Sequence, residues 1–236
     1  MAIYALSDLH LSFAKPKPMD VFGPAWVNHE DKIRRNWDDL VKSDDIMLLP
    51  GDLSWAMTIQ EARKDLEFVM ERPGRKVLIR GNHDYWWQRR ATSRIQSRID
   101  GDMTFLQGTS IVMDGVGITG TRGWRVEKWM VGDEQIKEEL EHSEKVLKRE
   151  LKYLESGLAA IPDSVDLKVA MLHFPPFDEK LQPNEFARLL KEYRVDIVVY
   201  GHVHLGVNWL GGVVDGIRYI IASCDIVDFT PQLVVP

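Results

Sequence analysis

Five short stretches of this chain bring carboxylate, amide and imidazole groups together at close spacing. They are Asp8-Leu9-His10, Gly51-Asp52, Gly81-Asn82-His83-Asp84, a lone His173, and Gly201-His202-Val203-His204. Taken singly, each has an ordinary structural use. Asp52 would cap a helix or close a turn, Asn-His-Asp after a glycine is common turn chemistry, and a single buried histidine usually satisfies a neighbour. Together they form a set of donors: Asp8, His10, Asp52, Asn82, His173, His202 and His204. These exceed the four ligands that one zinc ion normally takes. They suit two ions that share one carboxylate, and Asp52, which belongs to neither two-residue pair, is the natural bridge. Ions so shared would sit about 3.5–4 Å apart, as in two-metal hydrolases. Oxygen and nitrogen donors without thiolate favour Mn, Fe or Zn over copper(I), and the share of imidazole disfavours Ca and Mg.

The elements that must position these groups can be read from the apolar runs before them. Residues 2–7, 46–49, 76–80, 167–172 and 195–200 read as buried strands, and every one of them ends at a candidate ligand. Residues two apart in an extended segment share a side, so Asp8 pairs with His10 and His202 with His204. Helices are expected at 29–43, at 58–70 with Thr58 as cap and Glu61 completing a capping box, at 86–98 and at about 183–192. Strand–helix alternation implies parallel pairing with right-handed crossovers. In such folds ligands gather at the carboxyl ends of the strands.

The pattern changes in the middle of the chain. Residues 103–106, 109–113 and 116–121 are short strands separated by glycine-containing turns, which predicts antiparallel pairing. Residues 133–156 form a long charged helix with an apolar side. Short strands at about 206–210 and 217–222 close the chain. With no repeat, low-complexity segment or linker, residues 1–236 read as a single α/β domain with a mixed sheet, or two sheets packed together under helices.

Composition narrows the function classes. The 236 residues are 44% hydrophobic, as expected of a globular chain with a sizeable core. A net charge of −6 argues against a protein built mainly to grip a nucleic-acid backbone. The single cysteine, Cys224, excludes an internal disulfide and reads as a small buried residue. Nothing in the first residues resembles a signal peptide, and no apolar run is long enough to span a membrane, so a cytoplasmic location is expected. His29 and His142 lie in charged, helix-like stretches and are expected to be solvated or locally bonded.

The order Asp8-x-His10, Gly51-Asp52, Gly81-Asn82-His83-Asp84, His173, Gly201-His202-x-His204 resembles the calcineurin-like metallophosphoesterases. All five blocks occur in order across residues 8–204, a far more specific match than any one motif. The resemblance implies a four-layer α/β/β/α sandwich of two mixed β-sheets flanked by helices. It implies that Asp8, His10, Asp52 and His204 hold one metal, and Asp52, Asn82, His173 and His202 the other. It further implies hydrolysis of a phosphomonoester or small phosphodiester by a hydroxide bridging the metals. His83 stands where the family places a residue that contacts the phosphate and assists the leaving group. It is also the one motif histidine left over after ligation. Asp84 is expected either to bond His83 and favour its protonated form or to be a plain turn carboxylate.

Substrate choice is less legible. Arg122, followed by Gly123 and Trp124, could clamp a phosphate, since the family's corresponding loop often borders the site. Trp55, Trp86 and Trp87 follow metal motifs and would wall the pocket or pack in the core. The 12–31 loop, with Lys15, Lys17, Phe22 and Trp26, could act as a lid. Protein serine/threonine phosphatases share Arg80-Gly81-Asn82-His83 but carry Asp-Arg-Gly where this chain has Leu53-Ser54-Trp55-Ala56. Nucleotide-sugar pyrophosphatases share the Ser-Asp-Leu-His-Leu opening but usually place Arg at His83. The family's nucleases carry DNA-binding domains not seen here. Class III cyclic-nucleotide phosphodiesterases match every motif. A reading from another class, an interaction scaffold on the same fold, predicts missing ligands. None is missing. The expected partner is a small phosphate ester.

Overall fold

A computed structural model describes residues 1–99, 101–125, 137–178, 180–205 and 211–236. Eleven strands are found among them, in two sheets. The first has the order β11 (Gln232–Val235), β1 (Ile3–Ala5), β2 (Ile46–Leu49), β3 (Arg75–Ile79) and β4 (Met103–Leu106). The second has the order β5 (Ser110–Met113), β6 (Val116–Thr121), β7 (Leu167–Leu172), β8 (Ile197–Tyr200), β10 (Ile217–Ile221) and β9 (Gly211–Val214). The inner strands of both sheets are parallel, and an antiparallel strand closes one edge of the first sheet and both edges of the second.

The strands are largely apolar because both faces of each sheet are covered, with charges such as Arg75, Lys76 and Lys168 kept to their amino ends. In β2, Ile46 and Leu48 point toward the second sheet, where they meet Val169, Met171 and Val199. Met47 and Leu49 point the other way, against α1 (His29–Leu40) and α2 (Ile59–Met70). The outer face of the second sheet packs Ala170, Leu172 and Val198 under α4 (Lys137–Ala159) and α5 (Glu185–Glu192). The period-2 alternation of the strands thus builds the expected four layers.

Several local expectations need correction. β4 pairs with β3 in parallel, and only β5 and β6 form the antiparallel pair. The turn through Gly108 therefore passes the chain from the edge of one sheet to the edge of the other. The helix expected at 86–98 shrinks to a 3₁₀ turn at Arg89–Ala91 and the short α3 (Thr92–Gln96), because Trp86 and Trp87 are taken into the core. β11 was not expected. The strand expected at 206–210, and residues 133–136 of the long helix, lie outside the described residues. Thr58 does cap α2 by accepting from Glu61 N, but the Glu61 carboxylate accepts from Met57 N. His29 is buried against Trp26, whereas His142 is exposed.

A candidate dinuclear metal centre

The carboxyl ends of β1, β2, β3, β7, β8 and β10 meet at one rim. The two sheets are joined there: Ser7 N donates to Ala222 O at 2.7 Å, and Ser7 forms a parallel bridge with Ser223. Further backbone bonds carry the first sheet's loops together, with Asp8 N on Gly51 O and His10 N on Asp52 O, each at 3.0 Å. The chain leaves the strands abruptly. Asp8, His10, Asp52 and His202 all have left-handed backbones, with φ of 59°, 49°, 52° and 70°. Each costs about 1–3 kcal/mol in a non-glycine residue, and such strain collects at functional sites. Gly51, at φ 94°, lies so close to the β3 end that a Cβ would fall 2.7 Å from Gly81 Cα and 2.8 Å from His173 Nδ1.

This folding brings all seven candidate ligands and His83 into one cup. Two groups of donors lie within 4.8 Å of one another: Asp8, His10 and His204, and Asp8, Asp52 and His173. Asp8 is common to both by this measure. Asp52 also faces both, with Oδ2 at 3.4 Å from His173 Nε2 and 4.0 Å from His10 Nε2. Asn82 Oδ1 lies 2.6 Å from His173 Nε2 and 3.0 Å from His202 Nδ1, so three candidate donor atoms converge on one point.

Asp8 is 0% exposed and Asp52 1%, and neither has a Lys or Arg ion-pair partner among the described residues. Burial lowers His10 and His202 to about 3, which keeps both rings neutral with a lone pair free. Burial works to lower His173, but the charge and hydrogen bond of Asp52, the Asp8 charge and the Pro50 carbonyl together push it up to about 9. Asp52 is held well below the carboxylate range, with the His173 charge and hydrogen bond outweighing burial. Burial raises Asp8. His10 Nδ1 is buried with no hydrogen-bond partner. Two buried carboxylates beside neutral imidazoles and an orphaned ring nitrogen form a donor set that fits divalent cations.

His83 sits at the lip of the cup, partly exposed. Its Nε2 is 4.0 Å from Asp52 Oδ2 and its Nδ1 is 3.2 Å from the Tyr85 hydroxyl. Asp84 does not bond its ring. The Asp84 carboxylate points inward and accepts five N–H groups, from Asp52, Gly81, Leu53, Ser54 and the Trp86 indole, at 2.8–3.1 Å. The expectation of an Asp84–His83 pair is thereby corrected. Asp84 ties the β2 and β3 loops to each other. Burial and the Asp52 charge push it up to about 6, against N–H bonds that favour its ionised form.

Arg122 reaches the rim through its backbone, whose carbonyl accepts from His173 N and Phe174 N. Its guanidinium instead lies over the Trp124 ring at 4.5 Å and 3.8 Å from Glu150. Trp86 and Trp87 are core residues, whereas Trp55 stacks on His10 with ring centres 4.9 Å apart. Trp26, expected in a lid, is buried 5.8 Å from the His10 ring and 6.0 Å from His204. It is a fixed wall of the cup.

Two residues escaped the sequence reading. Asp225 Oδ1 lies 2.8 Å from His204 Nδ1, and Ser223 Oγ donates to Asp8 Oδ2 at 3.0 Å. Both follow β10, a parallel strand of the second sheet. The same strand-end rule that exposed the ligands would have found them.

The sequence profile of the calcineurin-like phosphoesterases matches residues 1–206 of this chain. The Gene 66 proteins of Mycobacterium phages D29 and L5 are 38% and 33% identical over 84 and 78 residues. These matches span 35% and 33% of this chain, and only 40% and 37% of the phage proteins. Among solved structures, a phosphopantetheinyl hydrolase from Mycobacterium tuberculosis aligns with TM-score 0.61 at 14% identity, over 100% of this chain and 96% of that one. A protein of unknown function from Aquifex aeolicus aligns with TM-score 0.52 at 17% identity, over 98% and 95%. At such identities the structures speak for the fold alone. The profile settles the family: this chain belongs to the calcineurin-like phosphoesterases.

Proposed function

We propose that residues 1–236 act as a single catalytic domain that hydrolyses a phosphomonoester or a small phosphodiester at a pair of metal ions. Asp8, His10, Asp52 and His204 would hold one ion, and Asp52, Asn82, His173 and His202 the other. The convergence of these donors in a buried cup, two carboxylates among them with no Lys or Arg partner among the described residues, carries the reading. Once bound, such ions offset the negative charge of the phosphate and acidify water enough to supply the nucleophile near neutral pH. The donor chemistry favours Mn, Fe or Zn.

The protein's own groups do the rest. The neutral His10 and His202 rings are ready to ligate, and His173 must give up the proton it shares with Asp52. We assign His83 to the leaving group. With Nδ1 held by the Tyr85 hydroxyl, Nε2 faces the cup and can deliver a proton to the departing oxygen. The ester P–O bond breaks, water supplies the new P–O bond, and the leaving oxygen takes the proton. Asp84 is a positioning residue, since it holds the Asp52 loop rather than His83. Arg122 supports the site through its backbone carbonyl, which accepts from His173 N and Phe174 N, while its guanidinium is engaged by Glu150 and Trp124.

The test is a metal analysis of the purified chain together with an ester panel in added Mn: nitrophenyl phosphate, bis-nitrophenyl phosphate, cyclic nucleotides and nucleotide sugars. Uptake of Mn, Fe or Zn with cleavage of a mono- or diester is expected. Protein that takes up none of these metals and cleaves no P–O bond would overturn the reading in favour of a scaffold.

A further inference from the structure

The loop before α1 carries two lysines with different surroundings. Lys15 is paired with Glu61. Lys17 has no carboxylate partner among the described residues, and its Nζ lies 3.5 Å from the centre of the Trp55 ring. That ring is fixed on the cup. It stacks on His10, its centre is 4.4 Å from the His83 ring, and its indole N–H donates to Met19 Sδ at 3.2 Å. Lys17 Nζ is therefore no farther from the centre of His83 than those two ring distances combined.

The placement is built into the backbone. Lys17 precedes Pro18, which pushes it toward extended geometry, and its N–H donates to Ser12 Oγ at 3.0 Å. The cation–π contact then holds the Lys17 ammonium over the tryptophan that borders His83. With His10 on Trp55, this tryptophan serves as a mount for the lysine more than as a platform for a stacked base.

We infer that Lys17 binds an anionic phosphoryl group carried on the leaving portion of the substrate, so that the preferred esters bear a second phosphate beyond the one attacked. The inference rests on the phosphoesterase reading and on the leaving group departing at His83. An ammonium beside a phosphate makes a charge-assisted hydrogen bond, and a neutral leaving group has nothing to offer it.

A matched pair of substrates tests this on the metal-loaded full chain. Hydrolysis of ADP at its terminal phosphate expels AMP, an anion that keeps a phosphate, whereas hydrolysis of AMP expels neutral adenosine. The wild type is expected to show a lower KM for ADP than for AMP. Lys17→Ala should raise KM for ADP roughly 10- to 30-fold, and more than KM for AMP, with Lys17→Arg restoring most of the difference. Equal KM values in the wild type, or equal shifts for both substrates in Lys17→Ala, would overturn the assignment. Calorimetric titration with methylenebisphosphonate separates the two readings should neither nucleotide be hydrolysed. Weaker binding by Lys17→Ala would then keep the lysine assignment while the ester reading fell, and identical binding, or none, would remove the lysine assignment too.

Discussion

The Asp84 carboxylate holds the backbone of Asp52: its Oδ2 accepts the Asp52 N–H at 2.9 Å and the Gly81 N–H at 2.8 Å. Its other oxygen takes three more N–H groups. Asp84→Asn would turn one acceptor into a donor facing donors. A buried N–H left unpaired costs about 1–3 kcal/mol, so the variant should lose roughly 3 kcal/mol of stability. Because the Asp52 loop loosens, the folded protein should also retain less metal after dialysis. Urea unfolding and metal analysis check both. A variant with wild-type stability and metal content but lost turnover would instead put Asp84 in the chemistry.

His83 stands apart from the inferred ligands, at the lip of the cup with its Nδ1 on Tyr85. His83→Ala should keep its metal and lose about 10²–10⁴-fold in kcat, the range of a positioned general acid. The loss should be smaller for nitrophenyl esters, whose leaving group needs little protonation. Single-turnover rates on metal-assayed protein give the answer, and a fully loaded variant with an unchanged rate would remove His83 from the mechanism.

Asp225 fixes the ring of His204 through its 2.8 Å contact with Nδ1. Burial alone would lower His204, but the Asp225 hydrogen bond together with the charges of Asp8, Asp225 and Asp52 outweighs it and leaves the imidazole more basic. Carboxylates placed behind ligating histidines orient the ring, and their loss typically costs 10–100-fold in metal affinity. Asp225→Ala should weaken metal retention by that factor, measured by competition with a chelator. Asp225→Asn, which keeps an acceptor, should recover part of it. Unchanged affinity in both would mean that His204 needs no such support.

How much of this was legible beforehand depended on how local each cause was. The inferred ligands stood out because parallel strands buried on both faces are apolar to their last residue, so His173 at the next position, or Asp52 just past Pro50-Gly51, breaks the pattern. Asp225 and Ser223 obey the same rule beyond β10, but they lie past the strand expected at 217–222 in a stretch that carries no motif. The inward turn of Asp84 was not readable, since four of its five donors lie outside its own turn and three of them come from residues 52–54. The pairing of β4 was hidden for a similar reason. A glycine turn between two short strands reads as a hairpin, and nothing near Gly108 shows that the two strands belong to different sheets.

Asp45 offers a pH-dependent check on the fold, far from the cup's own titrations. It is buried, with Oδ1 accepting from Ala2 N at 2.6 Å and Oδ2 from Lys42 N at 2.9 Å, and so pins the entry of β1 to the turn before β2. Burial works to raise its pKa, but the two N–H bonds outweigh it and the net shift is downward from 3.8. A carboxyl whose pKa is lower in the folded chain stabilises the fold in its ionised form. That contribution is complete above the unfolded value near 3.8, and it is lost as pH falls from there through the folded value. Asp45→Asn should therefore be less stable than the wild type by about 1–2 kcal/mol at pH 7. The gap should hold down to about pH 5 and narrow below pH 4 in urea unfolding curves. A gap that stays constant through that range would show that the Asp45 contacts do not depend on its charge.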